Sequence, residues 1–188
     1  MPTSERLIAL LAERSTKRGV FTLASGRQSD IYVDARLTTM SPDGLALIGP
    51  LALAELTRAN WSADAVGGLT LGADPVSYAI AYASASTERP LRAFTVRKEQ
   101  KTHGTGRLIE GPFREGDRVV VTEDVITTGS SAMRAANAVR AAGGIIVGVL
   151  AVVDREEGGR EALSNAGYPV ISLAQISTVL DHMKNTGG

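Results

Sequence analysis

One segment sets the architecture expected for the rest of the chain: Arg118-Val119-Val120-Val121-Thr122-Glu123-Asp124-Val125-Ile126-Thr127-Thr128-Gly129-Ser130-Ser131. Its β-branched apolar run, residues 119–121, is typical of a strand that is buried on both faces. Two adjacent carboxylates follow at the end of that strand. A short loop of hydroxyl residues and one glycine then precedes a helix that we expect to begin near Ala132. The order is therefore strand, acidic pair, loop and helix.

The loop at residues 127–131 has the composition of a phosphate site. Backbone N–H groups at the start of a helix can hold a phosphate, and Gly129 allows the phosphate to approach closely because it has no Cβ. Glu123 and Asp124 are suited to accept hydrogen bonds from sugar hydroxyls. Taken singly, these features also fit an ordinary turn and a pair of solvated acids. Together they indicate a sugar-phosphate site, to which hydroxyl donors are added by Thr127, Thr128, Ser130 and Ser131.

Composition excludes several classes of function. The chain has 188 residues, which predicts one domain without a linker or an internal repeat. Twenty basic and twenty acidic residues give a net charge of zero, which argues against a nucleic-acid partner or a membrane partner. The absence of cysteine excludes disulfides and thiolate chemistry. With no signal-peptide pattern near Met1, we expect a cytoplasmic protein.

The pattern of predicted elements favours an α/β fold with a mostly parallel central sheet flanked by helices. An N-terminal helix is predicted at residues 4–18, with Gly19 as its stop, and two short strands at 20–23 and 31–33 follow it. Alternating strands and helices then continue to the end of the chain. The further strands are predicted at residues 65–68, 91–96, 119–121, 145–153 and 170–173.

The segment 97–111 has no periodicity, and we expect it to be a long mobile loop. It carries cations and glycines with few apolar residues, and long loops inside compact domains are usually functional. Ligands of parallel sheets bind at the carboxyl ends of strands. Four polar loops are predicted at such ends, after Gly68, Val96, Val121 and Val153.

These motifs resemble those of a known family. The segment from residue 118 resembles the signature of phosphoribosyltransferases that use phosphoribosyl pyrophosphate, in which two acids and two further residues precede Thr-x-Gly-[Ser/Thr]. The segment Arg97-Lys98-Glu99-Gln100-Lys101-Thr102-His103-Gly104 resembles the catalytic loop of orotate phosphoribosyltransferases, Arg-Lys-x-x-Lys-x-His-Gly. Two further motifs support the resemblance, Phe21-Thr22-Leu23-x-Ser25-Gly26 and Val153-Asp154-Arg155-x-Glu157.

The resemblance implies a type I phosphoribosyltransferase fold. Residues 1–188 would form a single domain, with a small hood built from residues 1–38. The implied reaction transfers the 5-phosphoribosyl group from phosphoribosyl pyrophosphate to orotate, giving orotidine 5′-monophosphate and pyrophosphate in pyrimidine (UMP) biosynthesis. The protein would be a homodimer in which the loop at 97–111 enters the neighbouring active site.

The resemblance also implies roles for individual residues. Thr127 and Arg155 would bind orotate, with a surface ion pair as the alternative for Arg155, and Tyr32 would lie near the base. Mg²⁺ would arrive with the pyrophosphate, so no protein ligand to a metal is named. The catalytic residues would be Arg97, Lys98, Lys101 and His103. These four would also bind phosphoribosyl pyrophosphate, together with Glu123, Asp124, Val125, Ile126, Thr127, Thr128, Gly129, Ser130 and Ser131.

The chain departs from the family pattern at two positions. Many members have a lysine where Ala24 stands, and many have another in the loop after Gly68, where this chain has Leu71-Gly72-Ala73. Two cations are therefore missing from the pyrophosphate side, which increases the expected reliance on Arg97, Lys98 and Lys101. Two alternative functions also stay open: transfer to another base such as a purine, and a non-catalytic regulator that senses phosphoribosyl pyrophosphate and binds nucleic acid. The basic loop and Arg155 argue against the first, and the zero net charge argues against the second.

Overall fold

In the computed structural model, which describes residues 3–22, 28–99 and 108–186, the N-terminal part consists of a helical segment and a two-stranded sheet. Helix α1 (Ser4–Leu10) continues as a π-helical turn at Leu11–Ser15. Strand β1 (Thr16–Thr22) and strand β2 (Gln28–Val33) then pair antiparallel in a separate two-stranded sheet.

The prediction of a helix over residues 4–18 is wrong in its last turn. Thr16 already pairs with Val33, and the carbonyl of Ser15 accepts a 2.8 Å hydrogen bond from the N–H of Asp34. Pairing with β2 thus replaces the helical hydrogen bonds of these residues, and the chain leaves the helix before Gly19.

The main sheet has six strands in the order β5-β4-β3-β6-β7-β8 within the described residues. All neighbours pair parallel except β4 and β5, which confirms the predicted α/β class. The short antiparallel strand β5 lies inside the segment predicted as a loop and pairs with Thr95 and Val96. The strands are β3 (Ala65–Leu69), β4 (Arg92–Val96), β5 (Ile109–Glu110), β6 (Arg118–Ile126), β7 (Ile145–Asp154) and β8 (Val170–Gln175).

Helices cover both faces of this sheet and create two apolar cores. Val120 packs into one core, and Val119 and Val121 pack into the other, so all three are fully buried as predicted. The first core also contains residues of α1, α3 (Pro42–Arg58), α4 (Ala73–Ser84) and α7 (Ile176–Thr186). The second contains residues of α5 (Ser130–Ala141) and α6 (Gly159–Asn165), and the short helix α2 (Arg36–Thr39) follows β2. Within the described ranges, no helix combines the length and apolar character needed to cross a membrane.

Strand order creates one crevice where a ligand is expected. The chain passes from β3 to its neighbour β4 on one side and then returns to β6 on the other side of β3. The loops that follow β3 and β6 therefore leave the sheet in opposite directions. In open parallel sheets such a switch point, at the carboxyl ends of the strands, is the usual ligand position.

Candidate functional site

A cavity of about 310 Å³ opens at this switch point. Its walls come from the end of β2, the loop after β3, the beginning of the basic loop, the end of β6 and the turn after β7. The polar or charged side chains among its lining residues are Asp34, Arg36, Thr70, Lys98, Glu123, Asp124, Thr127, Ser131 and Arg155. An adjoining cavity of about 120 Å³ is lined by Glu123 and residues 125–132. Because the two cavities share several residues, they form two halves of one site.

The smaller cavity is the predicted phosphate loop. Helix α5 begins at Ser130, and Gly129 immediately before it has a φ of +78°, a left-handed conformation that glycine adopts without steric cost. Thr128 Oγ1 donates to Ser130 Oγ at 3.2 Å. Residues 127–131 are thus brought together at the N-terminus of a 12-residue helix, where N–H groups without helical partners favour an anion.

The acidic pair lies within β6 and not beyond its end, because β6 keeps pairing with β7 as far as Ile126. Glu123 is only 6% exposed, and its Oε1 has no hydrogen-bond partner in the described part of the chain. Burial, together with the neighbouring charge of Asp124, raises the pKa of Glu123 to about 8. Burial also raises the pKa of Asp124. A buried acid without a partner is costly unless a ligand satisfies it.

The loop after β3 is held close to the acidic pair. Thr70 Oγ1 donates to Asp74 Oδ2 at 2.6 Å, and Thr95 Oγ1 donates to Asp74 Oδ1 at 2.8 Å. These bonds fix the start of α4 against β4. Gly72 then passes so near to Asp124 that a Cβ at this position would overlap the Asp124 carboxylate.

Arg155 reaches the cavity from the turn after β7. Its side chain is 9% exposed, and its Nη2 donates to Glu157 Oε1 at 2.6 Å. The ion pair that the sequence left as an alternative therefore exists, but it lies in the wall of the site, where the Glu157 side chain is 20% exposed. Nε of Arg155 is buried and has no hydrogen-bond partner among the described residues. The guanidinium consequently keeps a donor for a ligand.

The basic loop is described only at its two ends. Arg97 lies 3.7 Å from Glu110 (Nη1 to Oε1), and its N–H donates to the carbonyl of Leu108 at 2.8 Å. Lys98 lines the larger cavity, and its carbonyl accepts a 2.9 Å hydrogen bond from Arg134 on α5. The other predicted catalytic residues, Lys101 and His103, lie outside the described residues, as do Ala24, Ser25 and Gly26.

Sequence reasoning missed the pair Asp34 and Arg36. Arg36 donates through Nε and Nη2 to the two carboxylate oxygens of Asp34, at 2.8 and 3.0 Å, and this hydrogen bonding lowers the pKa of Asp34. The available signal was the Asp-x-Arg pattern directly after a predicted strand. Tyr32 packs against Phe21, with ring centroids 5.4 Å apart, and its place near the base stays a prediction.

Within the ranges 3–22, 28–99 and 108–186, no group of three or more histidine, aspartate or glutamate side chains is arranged to hold a metal ion. Glu123 and Asp124 are the predicted site residues that carry carboxylate oxygens. Glu123 lines both cavities, and its Oε1 has no hydrogen-bond partner among the described residues.

Comparison with known proteins gives a consistent result. The orotate phosphoribosyltransferase of Aquifex aeolicus is 50% identical over 179 residues, covering 94% of this chain and 97% of the relative. That of Mycobacterium leprae is 50% identical over 175 residues, covering 92% and 95%. The crystal structure of Mycobacterium tuberculosis orotate phosphoribosyltransferase in complex with phosphoribosyl pyrophosphate has a TM-score of 0.78 and 43% identity, covering 94% of this chain and 98% of that one. No family model matches the chain.

The burial of Glu123 predicts a measurable pH dependence of stability. Its pKa is about 8 in the folded protein, against an ordinary value of 4.5. Between these two pH values the unfolded chain releases the proton while the folded protein keeps it, so the contribution of Glu123 to stability is lost as the pH rises. We expect the wild type to lose a few kcal/mol more stability between pH 5 and pH 8 than Glu123→Gln does, measured by urea unfolding.

The exposed Glu115, in the turn before β6, provides the matched control. Glu115→Gln should show the same pH dependence as the wild type. If the curves of wild type and Glu123→Gln stay parallel from pH 5 to pH 8, the raised pKa is refuted.

Proposed function

Because the chain belongs to the orotate phosphoribosyltransferase family, we propose that it transfers the 5-phosphoribosyl group from phosphoribosyl pyrophosphate to orotate in pyrimidine (UMP) biosynthesis. The products are orotidine 5′-monophosphate and pyrophosphate. The observation that carries the proposal is the meeting of three features in one site: a helix-terminal phosphate loop, a buried acidic pair and a buried arginine with an unused donor.

The phosphoribosyl group fits the part of the site formed by β6 and α5. Its 5′-phosphate would accept hydrogen bonds from the N–H groups and hydroxyls of residues 127–131. Its ring hydroxyls would donate to Glu123 and Asp124, of which Glu123 Oε1 has no partner within the described protein. Satisfying that buried oxygen would contribute to binding and would fix the orientation of the sugar.

The transfer needs no protein nucleophile. The bond from C1 of the ribose to the pyrophosphate oxygen breaks, a bond from C1 to the orotate nitrogen forms, and the sugar passes through a state with oxocarbenium character. The protein holds both reactants in line and stabilises the charge that develops on the leaving pyrophosphate. Arg97, Lys98, Lys101 and His103 are proposed to supply this positive charge from the loop at 97–111. Closure of that loop would exclude water from the cavity.

Mg²⁺ is proposed to bind together with phosphoribosyl pyrophosphate. Carboxylate oxygens suit this ion, and the acidic pair presents one buried oxygen without a protein partner. Glu123 and Asp124 would therefore contact it, directly or through water. When bound, the ion would supply positive charge beside the pyrophosphate oxygens.

Orotate would bind between the end of β6 and the turn after β7. Arg155 can pair with the orotate carboxylate, because its guanidinium is held by Glu157 and retains Nε as a free donor in the described structure. Thr127 lies at the junction of the two cavities, where it would reach the orotate ring. A neutral purine would supply no carboxylate for the unused Nε donor of Arg155.

We also propose a cytoplasmic homodimer in which each subunit, residues 1–188, is one catalytic domain with a hood at residues 1–38. Large apolar side chains exposed on α4 and beside the site support a contact with a second copy: Leu71 is 55%, Tyr78 53% and Tyr82 86% exposed. Arg97, Lys101 and His103 would then enter the partner's site.

The decisive assay follows the loss of orotate absorbance after phosphoribosyl pyrophosphate and Mg²⁺ are added. A panel of bases should give turnover with orotate and none with adenine, guanine or hypoxanthine. Turnover of a purine but not of orotate would show a phosphoribosyltransferase of different specificity. Binding of RNA or DNA at physiological salt without turnover would support a regulator instead.

Arg155→Ala is expected to weaken orotate binding specifically. A hydrogen bond to a charged group contributes roughly 1.5–3 kcal/mol, so the Michaelis constant for orotate should rise about 10-fold to 100-fold. The constant for phosphoribosyl pyrophosphate should stay within about twofold, because Arg155 does not line the phosphate loop. Arg118→Ala, at the opposite end of the sheet, is the matched control. An unchanged orotate constant for Arg155→Ala contradicts the carboxylate contact.

Lys101→Ala is expected to lower kcat by about 100-fold or more while leaving the melting temperature unchanged, because its charge acts on the leaving group. Lys184→Ala on α7 removes an exposed lysine 61% accessible to solvent and should leave kcat at the wild-type value. Wild-type kcat for Lys101→Ala would show that this lysine does not act on the pyrophosphate.

Mixing two defective variants tests the exchange of loops between subunits. In a heterodimer of Lys101→Ala and Arg155→Ala, one site combines an intact arginine with an intact partner loop, and the other site carries both defects. After subunits are exchanged at equal concentrations, about one quarter of wild-type activity should return if dimers form at random. Activity that stays at the mean of the two variants would place each loop in its own subunit.

A further inference from the structure

We infer that Arg160 is a positioning residue for Arg155, acting through Asp154 from outside the substrate cavity; this inference rests on the proposed function. Arg160 is the second residue of α6 and lines a different cavity, between β8 and the helices α1 and α3. It therefore reaches the site only through the turn that carries Arg155.

The turn at residues 154–158 holds Arg155 in a conformation that needs support. The N–H of Arg155 donates to the carbonyl of Ile126 at 2.9 Å, which ties the turn to the end of β6. Glu156 has a φ of +55°, a left-handed conformation that is unfavourable for a residue with a side chain. The N–H of Glu156 donates to Asp154 Oδ1 at 2.8 Å, so the Asp154 carboxylate stabilises this strained residue directly.

Asp154 is in turn fixed by Arg160. The carboxylate is 2% exposed, and its Oδ2 accepts a 2.7 Å hydrogen bond from Arg160 Nε. The same guanidinium donates through Nη1 to the carbonyl of Val170 at 2.9 Å and through Nη2 to Ser172 Oγ at 2.6 Å. These three bonds join the end of β7 to β8. The two carboxylate oxygens of Asp154 therefore have different partners: Oδ1 accepts a hydrogen bond from the turn, and Oδ2 accepts one from Arg160.

The other residues of the turn make contacts that do not involve Arg160. Glu156 Oε2 accepts a 2.9 Å hydrogen bond from the N–H of Ser177 at the start of α7, and Glu157 pairs with Arg155. Loss of Arg160 would leave these contacts in place and would free the Asp154 carboxylate to rotate. A buried carboxylate without its cation is unfavourable, so the Asp154 side chain would turn toward water or toward another cation. Because Asp154 also holds the N–H of Glu156, this movement would shift Glu156 and the adjacent Arg155. None of these hydrogen bonds involves residues 127–131.

The experiment is a steady-state comparison of Arg160→Gln, Arg160→Lys and Ser172→Ala in the full chain, with orotate and phosphoribosyl pyrophosphate varied separately. For Arg160→Gln we expect the orotate Michaelis constant to rise about tenfold, with that for phosphoribosyl pyrophosphate within about twofold, because only the arginine turn is displaced. Arg160→Lys keeps the charge beside Asp154 and should recover part of the loss. Ser172→Ala removes one of the three bonds and should raise the orotate constant about twofold.

The control is Arg58→Ala, which removes an exposed arginine from the wall of the same second cavity and should change neither constant. If Arg160→Gln does not fold, the orotate Michaelis constants of wild type, Arg160→Lys and Ser172→Ala still test the positioning role, because both variants should have constants above the wild-type value. Equal increases for both substrates, or a wild-type orotate constant in the folded variants, overturn the positioning role. Absence of orotate turnover in the wild type would instead refute the proposed function.

Discussion

The pairing of β6 between β3 and β7 is the constraint on which the site depends. β3 brings Gly72 against Asp124 from one side, and β7 brings Arg155 from the other. The ladder continues beyond the regular strands, because the N–H of Arg155 still donates to the carbonyl of Ile126. The acidic pair, the loop at residues 127–131 and Arg155 are therefore positioned by backbone hydrogen bonds, which are less variable than contacts between long side chains. A shift of β6 by one residue would reverse the face of every β6 side chain in the site.

Buried charged groups separate into two kinds by how fully the protein satisfies them. Asp154 is buried and receives hydrogen bonds on both oxygens, from Glu156 and Arg160, so its role is to hold the turn. Glu123 is 6% exposed and the side chain of Arg155 is 9% exposed, and each keeps one polar atom without a partner in the described chain. Because leaving such an atom unsatisfied costs stability, it marks a place where a ligand completes the structure. By this criterion Glu123 and Arg155 are candidate binding residues, whereas Asp154, adjacent to Arg155 in the chain, is a supporting residue.

The sequence predicted those parts of the molecule that depend on local patterns. The buried strand, the loop at residues 127–129 and the helix after it were predicted correctly, because apolar periodicity and a glycine before a helix are short-range signals. The N-terminal helix was predicted too long, because the pairing of Thr16 with Val33 joins residues far apart in the chain. The same limit applies to Arg160, whose partners lie six to twelve positions away in two strands. The sequence alone does not show which hydrogen-bond partners a charged side chain such as Arg160 will have in the fold.

The loop after β3 gives a structural reason why this chain has glycine at position 72, where many family members have lysine in the same loop. The family pattern leads one to expect a cation near Gly72, but in this chain the carboxylate of Asp124 fills the space that a side chain there would need. A lysine at that position would have to displace Asp124 from its place beside the sugar site. Arg36, which lines the opposite wall, is near enough to lower the pKa of Asp124 against the larger effect of burial. One cation beside the acidic pair thus comes from α2, in the N-terminal part of the chain.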